Sequence, residues 1–209
     1  MFIRKAISLL CLTWALTMMN TGTAFAVDFN NYDVDGKELL GSQEIFDINW
    51  YLDRIPDYVL NEYFSKGYHM EFKSGYLKDT ATPDTAMACY YLDNNEINIR
   101  TDLENVKGFT FGNKGIWMGR NMIHELGHYY YDKYKNKLSD EAKEQMHLNY
   151  INRKDWDRAC YNENETFATC FAQFYESCYH DNPEDLPYRE LDNIISGGNS
   201  KLWDGQTMN

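Results

Sequence analysis

Residues 124–128 read His124-Glu125-Leu126-Gly127-His128, and on a helix this spacing puts two imidazoles one turn apart on one face with a carboxylate beside them. A pair of that kind binds zinc. A zinc ion held by neutral nitrogens lowers the pKa of its water to about 7, and a glutamate next to the first histidine can accept that water's proton during attack on a peptide carbonyl. The pattern thus predicts a metal and a general base, Glu125. Its flanks support a helix. Met118, Met122, Ile123, Leu126 and Tyr130 recur at helical spacing opposite the histidines, and no proline interrupts residues 116–134. One face is expected to be core, the other the site. Gly127 costs about 1 kcal/mol of helix propensity relative to alanine, which makes sense where another backbone or a substrate passes close.

Upstream, Ile45, Ile48, Leu52, Ile55, Val59 and Tyr63 follow a helical period. Pro56 is placed to start a second helical piece and Gly67 to end it. Before them, residues 27–42 read as a polar leader. Tyr68 to Phe72 then reads as a short strand. Ala88 to Tyr91 and Glu96 to Arg100 flank an Asp93-Asn94-Asn95 turn as a hairpin. Ile97 and Ile99 alternate with Glu96, Asn98 and Arg100, the pattern of a half-exposed strand, which makes that strand a candidate edge for an extended ligand. Residues 102–115, with Gly108, Gly112 and Gly115, read as a loop into the histidine helix.

Downstream, Lys135 to Asp157 is charged, polar and helical in part. Glu163 to Tyr179 reads as a second strong helix, with Phe167, Phe171 and Phe174 on one face. Residues 196–209 are rich in Gly and Asn and are expected to be loose. The resulting expectation is an α+β domain spanning 27–209, in which a small mixed sheet carrying the hairpin packs on the histidine helix, followed by a glutamate-bearing helix.

Residues 1–26 have the form of a secretory signal peptide: Arg4 and Lys5 precede an apolar stretch, and Ala24-Phe25-Ala26 offers a small-x-small cleavage site. The expected mature chain begins at Val27, is secreted, keeps no stable membrane association, and is a monomer. The whole chain has a net charge of −12, from 20 basic and 32 acidic residues, and loses two of its positive charges with the leader. Such acidity disfavours nucleic acid and anionic membranes as partners. Cys89, Cys160, Cys170 and Cys178 remain after cleavage, and four cysteines in an exported chain permit two disulfides.

A catalytic zinc uses three protein ligands and keeps a fourth position for water or substrate, so the two histidines need a third group from downstream. The places three and six residues after His128 hold Tyr131 and Tyr134, which excludes the metzincin extension. The candidates are Glu163, Glu165, His147 and His180. Glu165 is favoured because it opens an amphipathic helix with small residues one turn on. Asn162 and Glu165 also have capping-box spacing, a competing use for the same carboxylate.

The spacing of His124-Glu125-Leu126-Gly127-His128 and the later Glu165-Thr166-Phe167-Ala168-Thr169-Cys170-Phe171-Ala172 resembles the anthrax lethal factor-like zinc metallopeptidases, including the small secreted Pro-Pro endopeptidases. The resemblance extends over most of residues 45–180, through the Ile55-Pro56 break, the short strand and the hairpin. It implies one Zn²⁺ held by His124, His128 and Glu165, Glu125 as general base, and an extended peptide or protein substrate along the strand near Ile97 to Ile99. Two positions depart from the family. Thr169 stands where relatives carry a second glutamate, and Arg158 where they carry the tyrosine that stabilises the oxyanion. Tyr161 is the nearest phenol and the candidate replacement, with Arg158 as runner-up.

The expected activity is that of a secreted zinc endopeptidase with catalytic Glu125 and Tyr161. Two rivals share the metal: a zinc hydrolase acting on cell-wall peptides, and a non-catalytic zinc-stabilised binding module. Retention of Glu125 argues against the second, since a structural zinc needs no base.

Overall fold

The computed structural model describes residues 29–77, 86–106, 112–155, 157, 160–177 and 180–200. The expected leader at 1–26, Gly108, Arg158, Cys178 and the tail beyond Ser200 lie outside these residues. Among the described residues the fold is α+β, with six α-helices and one four-stranded mixed sheet.

Helices α1 (Ser42–Leu52) and α2 (Asp57–Phe64) are the two pieces of the scaffold. Pro56 divides them because its ring and missing N–H cannot continue α1, while its fixed φ suits the residue that starts α2. Gly67, at φ 72, turns the chain out of the helical region a few residues after α2. The sheet follows: β2 (Met70–Lys73), β3 (Ala88–Tyr91) and β4 (Glu96–Arg100). The chain then enters α3 (Lys114–Tyr134), begun by the Asn113 side chain, which accepts the Ile116 N–H. Lys114 and Gly115 are therefore already helical, two residues earlier than expected. After α3 come α4 (Asp140–Arg153), α5 (Glu163–Glu176) and α6 (Leu186–Ile195).

Three expectations need correction. The 27–42 stretch is not a plain leader, because Val34 and Asp35 form β1, parallel to β2 through Val34↔Met70. The α5 helix stops at Glu176, three residues short, since Ser177 is extended at ψ 144. The candidate edge strand is internal. Strand order is β1-β2-β4-β3, so β4 pairs with β2 in parallel and with β3 antiparallel. Nor is β4 half-exposed. Ile97 and Ile99 face the core, while Asn98 and Arg100 on the opposite face are also buried. The Arg100 guanidinium lies 5.3 Å from the Tyr76 ring and pairs with Asp102 at 2.8 Å, so polar residues on this strand mark a covered face with its charge compensated. Among the described residues the edge strands are β1 and β3.

Aromatic side chains tie the sheet to the helices. Tyr63 of α2 donates to the carbonyls of His69 and Asn95, at 2.5 and 2.6 Å, fixing the starts of β2 and β4. Its ring meets Tyr129 of α3 edge-on at 5.2 Å, and Tyr129 in turn meets Tyr90 of β3 at 6.3 Å. Phe167 and Phe171 stack along α5, and Phe171 packs on Tyr130 of α3. The fully buried Asp192 of α6 accepts hydroxyls from Tyr58 at 2.7 Å and Tyr175 at 2.8 Å, and a third from Ser200, which docks α6 onto α2 and α5.

Among the described residues no disulfide is formed. Cys160 and Cys170 are both buried free thiols, and burial raises the pKa of each.

Candidate metal centre

The centre lies where α3 meets the first turn of α5. Gly127 allows that meeting: a Cβ built on it would stand 2.7 Å from the Ala168 Cα, so the passing backbone is that of α5. Two helices this close bring the histidine face of α3 within reach of a carboxylate side chain at the start of α5. Asn162 caps α5 by accepting the Glu165 N–H at 2.9 Å. The Glu165 side chain does not return to complete a capping box. It faces the histidines instead.

One oxygen of Glu165, Oε2, lies 3.4 Å from His124 Nε2 and 3.5 Å from His128 Nε2. The His124 and His128 rings are nearly perpendicular, with centroids 4.8 Å apart. Ligand atoms about 2.0–2.1 Å from a tetrahedral zinc are about 3.4 Å from one another. The two nitrogen–oxygen separations therefore match tetrahedral edges, and two imidazoles with one carboxylate suit zinc's preference for nitrogen and oxygen donors. Among the described residues these three form the one group whose ligand atoms all fall within 4.8 Å of one another. Their side chains are 22 %, 10 % and 23 % exposed for His124, His128 and Glu165, open enough to admit a fourth ligand.

The electrostatics follow from proximity. Burial would raise the Glu165 carboxyl, but the hydrogen bonds and charges of His124 and His128 outweigh it and hold the group far below the usual carboxylate range. Burial pulls His128 down, yet its bond to Glu165 and the nearby Glu125 charge prevail and raise it to about 9. Glu125 is enclosed, with Oε2 4.0 Å from His128 Nε2. Burial drives its carboxyl upward, opposed by the histidine charges and by a backbone N–H from Tyr90. A carboxylate raised in this way is a stronger base than one in water.

That N–H identifies which strand borders the centre. Arg100 N donates to Met87 O at 2.8 Å, and Ala88 pairs with Ile99 and Tyr90 with Ile97. In that register Cys89 and Tyr91 turn their backbone groups toward β4, and Ala88 and Tyr90 turn theirs away from it. The free edge of β3 thus faces Glu125.

Other expected residues fall in and around the group. Tyr161 is exposed, and its hydroxyl donates to Glu165 Oε1 at 2.9 Å. Burial and the Glu165 charge push that phenol up to about 12. Glu163 points elsewhere: its carboxylate takes His147 Nδ1 at 3.1 Å and the Tyr131 hydroxyl at 3.5 Å. His180 lies against Phe174, ring centroids 4.5 Å apart, outside the group. The Thr169 hydroxyl is buried, with no hydrogen-bond partner among the described residues. Two contributors were not anticipated. Asn164 Oδ1 lies 2.9 Å from His128 Nδ1, and the Tyr90 backbone reaches Glu125. The first had a faint signal, an asparagine between two glutamates at a helix start; the second, being backbone, had none.

No family model, curated protein or solved structure matches this chain.

Proposed function

We propose that the protein is a zinc-dependent endopeptidase in which His124, His128 and Glu165 hold one zinc ion. The observation that carries this reading is the approach of Glu165 Oε2 to both histidine Nε2 atoms, at 3.4 and 3.5 Å, with the unshared carboxylate of Glu125 beside them. A zinc centre built only for stability has no use for that second glutamate. The spacing likeness to the lethal factor-like peptidases supports the same conclusion.

When bound, zinc supplies a Lewis acid and a water of lowered pKa. The chain's own groups do the rest. Glu125, kept basic by burial, takes the proton of the attacking water and passes it to the leaving amine. Tyr161, whose pKa of about 12 keeps its phenol protonated at neutral pH, donates to the oxygen that gains charge as the carbonyl becomes tetrahedral. The substrate is an extended peptide that adds to the free edge of β3 at Ala88 and Tyr90. That strand replaces the interior residues Ile97 to Ile99 as the peptide's partner. The form of residues 1–26 supports action outside the cell.

Profiling the chain from Val27 against a combinatorial peptide library, with and without a chelator, tests this reading. Expected are one zinc per chain and cleavage that disappears on chelation and returns with zinc. Cleavage indifferent to chelation, or no zinc bound, would overturn it.

A further inference from the structure

We infer that Asn164 is a positioning residue for the metal centre: its side-chain oxygen fixes the proton of His128 on Nδ1 and so presents the Nε2 lone pair to the metal. The inference rests on the zinc reading and deepens it. Asn164 Oδ1 lies 2.9 Å from His128 Nδ1, on the side of the ring away from Glu165, whose carboxylate is 3.5 Å from Nε2. A neutral imidazole carries one proton, and a nitrogen that donates it leaves the other free to ligate.

The alternative placement of the amide can be decided on chemistry. With Nδ2 toward the ring, Asn164 would donate to Nδ1 and drive the proton onto Nε2, the atom nearest Glu165. No metal could then share that nitrogen. The oxygen-inward placement alone suits two imidazoles and a carboxylate converging on one ion.

Position on the helix gives the arrangement its economy. Asn164 and Glu165 are consecutive in the first turn of α5, which Asn162 caps. One short segment therefore provides a ligand, the acceptor that orients a different ligand on α3, and, through Tyr161, a donor to the ligand's second oxygen at 2.9 Å. The amide is also neutral. Glu125 and Glu165 already place two carboxylates around the histidines, and a third beside them would add repulsion.

Without a positioning role, loss of the Asn164 side chain would leave zinc affinity unchanged. Asparagine is a poor helix former, so Asn164→Ala in the first turn should be neutral or slightly stabilising if the residue does nothing else. Zinc affinity separates the two. It is measured by competition with a fluorescent chelator on the chain from Val27, for the parent, Asn164→Ala and Asn164→Asp, with thermal melts of the metal-free proteins alongside. Expected is an affinity about 10–100-fold weaker for Asn164→Ala, as for loss of other outer partners of histidine ligands, with unchanged melting. Asn164→Asp, which keeps the acceptor, should bind within a few-fold of the parent or tighter. Nitrogen-15 shifts of zinc-loaded parent should show His128 protonated at Nδ1. Parent affinity in Asn164→Ala, or Asn164→Asp as weak as alanine, would overturn the positioning role while the zinc reading stands. A parent that binds no zinc would overturn both.

Discussion

Gly127 and Ala168 touch backbone to backbone: a methyl group on Gly127 would enter within 2.7 Å of the Ala168 Cα and 3.1 Å of its Cβ. Gly127→Ala gains about 1 kcal/mol of helix propensity and incurs an overpacking cost of about 1–3 kcal/mol, because the obstacle is backbone that cannot rotate away. The net cost of up to about 2 kcal/mol predicts a melting temperature lower by up to about 8 °C for a chain of this size, together with weaker zinc binding as α5 is pushed off α3. A melt unchanged from the parent would mean that the helices separate without cost.

Removal of the base should divide chemistry from metal binding. Glu125→Ala is expected to lower peptide cleavage by at least the 10²–10⁴-fold typical of a general base while retaining one zinc per chain. Elemental analysis beside a cleavage assay measures both. Loss of zinc would make Glu125 a structural member of the site.

The two glutamates of the α5 start should behave differently. Glu165→Ala is expected to lose zinc and activity together, since its carboxylate faces both histidines, while Glu163→Ala keeps most of each, its partners being His147 and Tyr131. A cap-only role for Glu165 would cost about 0.5–2 kcal/mol of stability without selective loss of metal, so stoichiometry at sub-micromolar free zinc distinguishes the cases.

The oxyanion donor can be sought with a single oxygen atom. Tyr161→Phe removes the hydroxyl 2.9 Å from Glu165 Oε1 and should slow turnover about 10²–10³-fold with a small change in zinc affinity. A large loss of zinc with unchanged turnover of the loaded enzyme would instead assign the hydroxyl to holding Glu165. Arg158→Ala, at the place where the resembled family carries tyrosine, should leave turnover near that of the parent.

Acid stability depends on Asp102. Its hydrogen bonds from the Arg100 guanidinium, 2 % exposed, hold its carboxyl well below the ordinary 3.8. A depressed carboxylate contributes stability that is complete above its unfolded pKa and is lost as the pH falls below about 4 toward the folded value. Asp102→Asn removes the carboxylate that pairs with the buried Arg100 guanidinium and should destabilise the fold at neutral pH. The gap between parent and variant should narrow on acidification from pH 4 to pH 2, as followed by denaturant melts.

Local signals carried much of the architecture. The period of residues 45–63 and 116–134 marked α1, α2 and α3, the Asn-rich turn marked the hairpin, and Pro56 marked a true break. What sequence could not convey was strand order. Ile97 and Ile99 alternate with polar residues as on an edge, but Arg100 and Asn98 are polar beneath a cover formed by residues distant in the chain, so alternation misreported exposure. The two-residue β1 is too short to have a period. Cysteine number suggested cross-links, whereas Cys160 and Cys170 are buried free thiols. Glu165 could be placed at a helix start because its neighbours repeat helically; the Asn164 contact to His128 could not be foreseen, because it depends on how α5 lies across α3.

The Tyr90 N–H, turned outward from β4, acts on the Glu125 carboxylate and so associates the base with one position along the β3 edge. Strands advance about 3.4 Å per residue and reverse their faces at each step, so a peptide annealed to β3 can slide into an equivalent position only by two residues at a time. Under the proposed activity the edge behaves as an index plate: it presents one carbonyl to Glu125 and turns the adjacent ones away. Selection of the bond to be cut would then begin with backbone register, before any side-chain pocket is consulted. Sequences that anneal in two registers should yield products differing in length by an even number of residues.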